Sequence, residues 1–163
     1  MSKDLKVSEE SEKKKYCVIV NAVVVRSGKI LLCQRSFEEK HVPGGWSPPG
    51  GKLEETGTVW NALQKTVQRE AFEEAGVRVR DRMHLLINNT FNHAEDDLQV
   101  ISLVFLCRYK SGRARPLEDT VAVKWVSAAE LDHYPFTHQN VKNYVIKAFE
   151  YLKSRSYRLS LLL

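Results

Sequence analysis

The chain has no apolar run close to the roughly 20 residues that a bilayer-spanning helix needs, so the sequence offers no transmembrane helix. Its opening, MSKDLKVSEESEKKK, is too polar for a secretory signal, and a cytoplasmic protein is the expectation. Cysteine is scarce. Cys17, Cys33 and Cys107 are odd in number, far apart, and each set in an apolar run. They supply neither a disulfide framework nor a zinc knuckle, and read as three buried thiols in a reducing compartment. No internal repeat is visible. What remains is ordinary: 163 residues, 43% hydrophobic and 28% charged, fit one globular domain and exclude a disordered or fibrous chain.

The formal net charge of +5 hints at a nucleic-acid partner until it is divided along the chain. Residues 1–15 carry five basic and four acidic groups, and residues 151–163 carry three basic and none acidic. Between Tyr16 and Glu150 the balance is only +1. The excess sits at the two ends, where a basic tail touches any polyanion weakly, so a nucleic acid is not the expected partner.

Residues 1–15 hold nothing to bury and read as a flexible arm. Tyr16–Val25, YCVIVNAVVV, predicts a central strand, and Ser27-Gly28 a turn into a second strand over Ile30–Cys33. A loop rich in glycine and proline follows, then a helix from about Trp60 to Ala75, with Thr58 as N-cap and Gly76 as C-cap. Val77–Asn89 predicts one or two strands, Leu98–Tyr109 a long one, and His93–Asp97 an exposed acidic loop between them. TVAVKWV, residues 120–126, alternates as a strand, and Ser127–Leu131 suggests a helical turn. Val141, Tyr144, Val145, Ala148, Phe149 and Leu152 recur at helical spacing in a last amphipathic helix. The expectation is a single α/β domain over residues 16–152 with a mixed sheet. Residues 153–163 form a tail whose Leu161–Leu163 could dock on a surface or pair with another subunit.

The informative stretch is Arg69-Glu70-Ala71-Phe72-Glu73-Glu74-Ala75-Gly76-Val77. On a helix, Glu70, Glu73 and Glu74 fan across an arc of about 100° on one face. Like charges at i,i+4 cost a few tenths of a kcal/mol. The cluster also closes its helix, where the helix dipole disfavours anions. A helix built for stability alone would carry lysines there. A solvated acidic face, with Arg69 and Glu73 as an i,i+4 pair, accounts for the charges; a divalent cation held across the face accounts for the misfit.

Arg69–Val77 resembles the second half of the Nudix hydrolase signature, which runs Gly, five residues, Glu, seven residues, then Arg-Glu-apolar-any-Glu-Glu-any-Gly-apolar. The resemblance covers about residues 16–152 and implies a Nudix-like α/β/α sandwich, a mixed β-sheet with a catalytic helix and a C-terminal helix. It implies that Glu73 and Glu74 are the principal ligands of Mg2+ or Mn2+, with Glu70 a third ligand or an orienting base. Arg69 would hold the carboxylates, Gly76 would end the helix, and Gly50 and Gly51 would be the loop glycines, Gly51 lending backbone to metal or helix. The first half of the signature departs. Asn61 stands where the family has a glutamate, and Gly51 lies 18 residues before Arg69 where the pattern needs 14. Four residues are inserted over Glu54–Trp60, so Glu54 or Glu55 is a candidate replacement carboxylate.

The implied reaction is attack of water on a phosphoanhydride in a nucleoside diphosphate linked to another moiety. No added signature of the family's more specialised branches is present, so a (deoxy)nucleoside triphosphate or related small nucleotide is the least committal substrate. Hydrolysis of capped or triphosphorylated RNA 5′ ends is the alternative, and binding of nucleotide or RNA without turnover a third. Candidates for the general base are Glu70, Glu118 or Asp119, and Glu95–Asp97; among the later ones Glu118 is preferred, because it sits on a loop at the edge of a strand. Arg35 and Lys52 are candidate phosphate contacts, and Phe136 a candidate stacking platform for the base. Monomer and homodimer are equally compatible with the sequence.

Overall fold

The structure, a computed structural model, describes residues 15–93 and 98–154. The arm through residue 14, the acids Glu95–Asp97 and the tail from residue 155 lie outside the described residues.

The run YCVIVNAVVV forms most of β1 (Lys15–Arg26). Val20, Ala22 and Val24 face one core layer, and Val23 and Val25 the other. Burial on both faces explains why the segment is continuously apolar rather than alternating. Ser27 and Gly28 both take positive φ, 49° and 74°, the hand that a two-residue hairpin turn favours, and lead into β2 (Lys29–Arg35). The hairpin pairs only next to its turn, at Val25↔Ile30 and Arg26↔Lys29. Beyond that the strands fork. Two short strands fill the wedge: β3 (Trp46–Ser47) pairs with β2, and β4 (Gly50–Lys52) with β1.

On its other side β1 runs parallel to β6 (Leu98–Gly112), which pairs antiparallel with β5 (Val77–His93), while β7 (Thr120–Val126) pairs with β2. The sheet is mixed, in the order β3-β2-β1-β6-β5. α1 (Ala62–Ala75) covers one face through Val67, Ala71 and Ala75. α2 (Gln139–Lys153) covers the other through Tyr144, Val145, Ala148 and Phe149. A 3-10 turn over Ala128–His133 bridges β7 to α2. This is the expected α/β/α sandwich. Among the described residues no helix is long and apolar enough to cross a membrane.

Two expectations need correction. α1 begins at Ala62 rather than near Trp60, and its cap is Asn61, not Thr58. Asn61 adopts a left-handed conformation (φ 57°, ψ 37°), which asparagine tolerates better than most side chains, and that turn sets the helix start. Cys33 and Cys107 are buried, but Cys17 is only half-buried near the start of β1. α1 forms against its own ends, with no side-chain N-cap bond, no acid in its first turn and no base in its last. A missing cap forgoes about 1 kcal/mol, and the fully buried Val67 alone offsets that with about 1.5–3 kcal/mol. Packing, not capping, holds the helix.

Candidate active site

The wedge between β1 and β2 carries backbone to the last two turns of α1. Pro49 O accepts from Ala22 N–H at 2.7 Å, and Gly50 pairs with Asn21 and Gly51 with Val20, which fixes the glycine loop against β1. Gly50 N–H then donates to Glu74 Oε2 at 3.2 Å. A Cβ on Gly51 would lie 2.5 Å from Glu70 Cδ, so only glycine admits that carboxylate. Gly76 ends the helix in the left-handed region, its N–H reaching Ala71 O and Phe72 O as the glycine there predicts.

Arg69 organises the carboxylates. Its Nη2 lies 2.8 Å from Glu70 Oε1, and its Nη1 2.9 Å from Glu73 Oε2 and 3.9 Å from Glu54 Oε2. Nη2 also donates to Lys52 O at 3.1 Å, so Lys52 contributes its carbonyl here while its side chain stays exposed. Glu55 instead accepts from Thr66 Oγ1 at 3.0 Å, one turn back along α1. Asn61 lies nine residues before Glu70, about 13 Å along the helix axis. Its amide is out of reach of the carboxylates. Of the two loop acids, Glu54 is the one that returns to the cluster. Glu54→Ala is therefore expected to weaken the metal-dependence of turnover several-fold, with Glu55→Ala and Asn61→Ala near wild type. A metal titration of activity for the three variants checks this, and equal small effects from all three would remove Glu54 from the site.

Beside the cluster opens a cleft of about 90 Å³, lined by Cys33, Arg35, Glu39, Ser47, Gly50, Glu74, Glu118, Asp119 and Thr120. β2 delivers Cys33 and Arg35, and the start of β7 delivers Thr120. Glu118 takes φ 47° in the turn before β7, and Leu117 N–H is tied to Glu74 O at 3.1 Å. Arg35 pairs with Glu39 at 3.0 Å, while its Nε is buried without a hydrogen-bond partner. Burial first, and Glu70 and Glu118 with it, push the Glu74 carboxyl up to about 8 against the pull of the Gly50 N–H and Arg35. Burial likewise raises Glu70, opposed by Arg69 and reinforced by Glu73, Glu118 and Glu54. The Cys33 thiol is pushed well up by burial and by Glu74 beside it, which leaves it protonated and unreactive.

Among the described residues no three His, Cys, Asp or Glu side chains already converge as metal ligands, since Arg69 spans Glu70 and Glu73 while Glu74 turns to Gly50. The donor chemistry nevertheless fits a hard divalent cation: carboxylate oxygens, crowded and short of positive charge. Glu70, Glu73 and Glu74 are the residues that would hold it, with Glu54 and Glu118 at the margin.

Arg35, Gly50, Glu74 and Glu118 meet at the cleft, and Arg69, Glu70, Glu73 and Gly51 meet beside it. Phe136 does not join them. It bridges to Trp46 and packs half-buried against the α2-side core, because the chain after the 3-10 turn is drawn in by Trp46 N–H to Pro135 O and Thr137 N–H to Trp46 O. Sequence reasoning missed Glu39, Cys33, Ser47 and Thr120. Only Glu39 left a signal, its i,i+4 spacing from Arg35, and that is common on any surface.

A family model described as NUDIX domain matches residues 15–149. A MutT-like protein of Streptomyces ambofaciens is 32% identical over 117 residues, 71% of this chain and 67% of that protein. Among solved structures, the MutT Nudix hydrolase of Burkholderia pseudomallei aligns with a TM-score of 0.64 at 28% identity, over 83% of this chain and 97% of that one. An ADP-ribose pyrophosphatase of Streptococcus suis aligns with a TM-score of 0.62 at 25% identity, over 85% and 93% respectively.

Proposed function

We propose, on the premise that the chain belongs to the Nudix hydrolase family and is a pyrophosphohydrolase, that its substrate is a (deoxy)nucleoside triphosphate or a similarly small nucleotide and its cofactor Mg2+ or Mn2+. The observation that carries the reading is one cleft with two chemistries: Glu74 and Glu118 on one part of its wall, and the Arg35 guanidinium on another. Carboxylates alone would repel a diphosphate. A divalent cation inverts that repulsion and lowers the pKa of a bound water. Arg35 lines the cleft and pairs with a phosphate through its fork of donors. Gly50 and Gly51 let the loop backbone approach the diphosphate, and the exposed Lys52 side chain adds charge at the rim.

Purified protein with Mg2+ or Mn2+ and a panel of nucleotides, read by phosphate or monophosphate release, tests the reading. Chelator-sensitive release from at least one small nucleotide is expected; none from any member of the panel would overturn it. ADP-ribose belongs in the panel, since a structural relative is a pyrophosphatase of that compound.

Glu118 is our choice of general base. It is exposed in the cleft lining, where water reaches its carboxylate. Glu118→Gln is expected to lower kcat about 10²-fold with KM little changed. A wild-type kcat would assign the base to Glu70 or another acid.

A further inference from the structure

The charge that balances along the chain does not balance in space. Segments 77–84 and 105–117 hold seven lysines and arginines against one acid, Asp81. The fold sets these segments side by side, with Arg78 opposite Ser111 and Val79 opposite Tyr109. Arg80 and Arg82 occupy the register shift between Val79 and Met83, and Arg113 and Arg115 follow directly on β6. Arg78, Arg80, Arg82, Lys110, Arg113 and Arg115 are all exposed. Asp81 accepts a hydrogen bond from Gln68 Nε2 at 2.8 Å, and among the described residues no ion pair engages the six cations. A surface kept for solubility mixes its signs. Here cations outnumber Asp81 until Glu118 and Asp119 at the cleft.

Two guanidiniums at this end of the sheet lie over aromatic rings. Arg26, at the end of β1, is 4.5 Å from the Tyr109 ring centre, and Arg78 is 4.7 Å from that of Phe72, itself 44% exposed. The backbone that carries the patch runs on to the cleft. Arg115 N–H donates to Ala75 O and Leu117 N–H to Glu74 O, both at 3.1 Å, and the next residue is Glu118. From Arg115 to Glu118 the chain spans at most about 10 Å.

We infer that this end of the sheet binds single-stranded RNA, with backbone phosphates on the arginines and unpaired bases against the guanidinium–aromatic pairs. Fixed cations give attraction to any polyanion, and π-faces interleaved with arginine select unpaired bases over a bare polyphosphate. The surface does not rest on the hydrolase reading.

Anisotropy of a 3′-labelled 12-nucleotide single-stranded RNA with the full-length protein, from 50 to 200 mM salt, tests the inference. The combined Arg80→Glu, Arg82→Glu, Lys110→Glu variant is expected to bind at least tenfold more weakly at 100 mM salt. Its salt slope should be shallower by about 2, near 0.7 for each phosphate no longer neutralised. Phe72→Ala should weaken binding several-fold with the slope unchanged. Thermal melting and turnover of a small nucleotide should stay at wild-type values in both; if the triple variant melts early, Arg113→Ser with Arg115→Ser takes its place. Wild-type RNA affinity in the charge variants would overturn the surface and leave binding to the chain ends. Inorganic polyphosphate competing as well as unlabelled RNA would overturn the stacking and reduce the patch to charge. Binding is read without hydrolysis, so a protein that holds RNA but turns over nothing sinks the hydrolase reading and spares this one.

Discussion

Glu74→Gln is expected to remove nearly all turnover, about 10³-fold or more in kcat, while leaving the fold intact. The amide keeps the size of the side chain and can still accept from Gly50 N–H, so what is lost is the charge. The same substitution should raise the stability of the metal-free protein at alkaline pH. The folded Glu74 carboxyl titrates at about 8, well above its ordinary value, because burial and Glu70 oppose its ionisation. A carboxyl raised in the folded state confers its stability below the unfolded pKa and loses it as pH rises through the folded one. The metal-free protein should therefore weaken between about pH 4.5 and pH 8, by about 2 kcal/mol for a half-buried group partly screened by water. Glu74→Gln should flatten that slope, and Mg2+ should flatten it in the wild type. Denaturant midpoints at pH 5 and pH 8.5, with and without Mg2+, check both. Wild-type turnover of Glu74→Gln at saturating Mg2+ would remove it from the site.

Gly50→Ala should cost the protein its stability and its activity together. A Cβ there would press into the Val20 carbonyl and come within 3.1 Å of Asn21 Cα. Those are backbone atoms of the central strand and cannot swing aside like a side chain. The expected loss is about 3 kcal/mol, at the upper end for a small-to-large change in a packed interior. The shifted loop would also withdraw the Gly50 N–H from Glu74, so turnover should fall by more than the unfolded fraction explains. Gly57→Ala makes the comparison: it has open space for a Cβ and only an unfavourable φ of +73°, so its cost should be near 1 kcal/mol. Equal stability of the two variants would show that the wedge does not constrain the loop.

Much of this architecture was legible because local and tertiary demands coincide. A β-branched run with no polar alternation has to lie in the middle of a sheet, and β1 does. Three glutamates at the end of a glycine-stopped helix go against that helix's own electrostatics, and Glu70 and Glu74 lie against the glycine loop. What escaped depends on distances between segments far apart in sequence. The stretch from Glu54 to Asn61 carries no periodicity, so nothing in it shows that Glu54 turns back to Arg69 while Glu55 is taken by Thr66. Phe136 reads as a stacking platform beside histidine and proline, and its burial follows from a single bridge to Trp46. Summing charge along residues 16–150 gave near neutrality because 15 of the 16 acids in that span lie outside segments 77–84 and 105–117, which hold seven of its cations. In the fold those groups point to different places.

The parallel ladder between β1 and β6 also governs the order in which the molecule can be assembled. Lys15 pairs with Leu98 and Val25 with Arg108, so every rung of that ladder closes about 83 residues of intervening chain. The loop-closure entropy must be met before the ladder returns anything, which places this fold among those that condense slowly around distant pairings. β4, the glycine loop and α1 all pack on a strand whose long partner emerges from the ribosome after them. A nascent chain that has reached Gly76 already holds Glu70, Glu73 and Glu74. It still lacks the strand that fixes β1 beneath them and the turn that brings Glu118. The carboxylates are made early and positioned late.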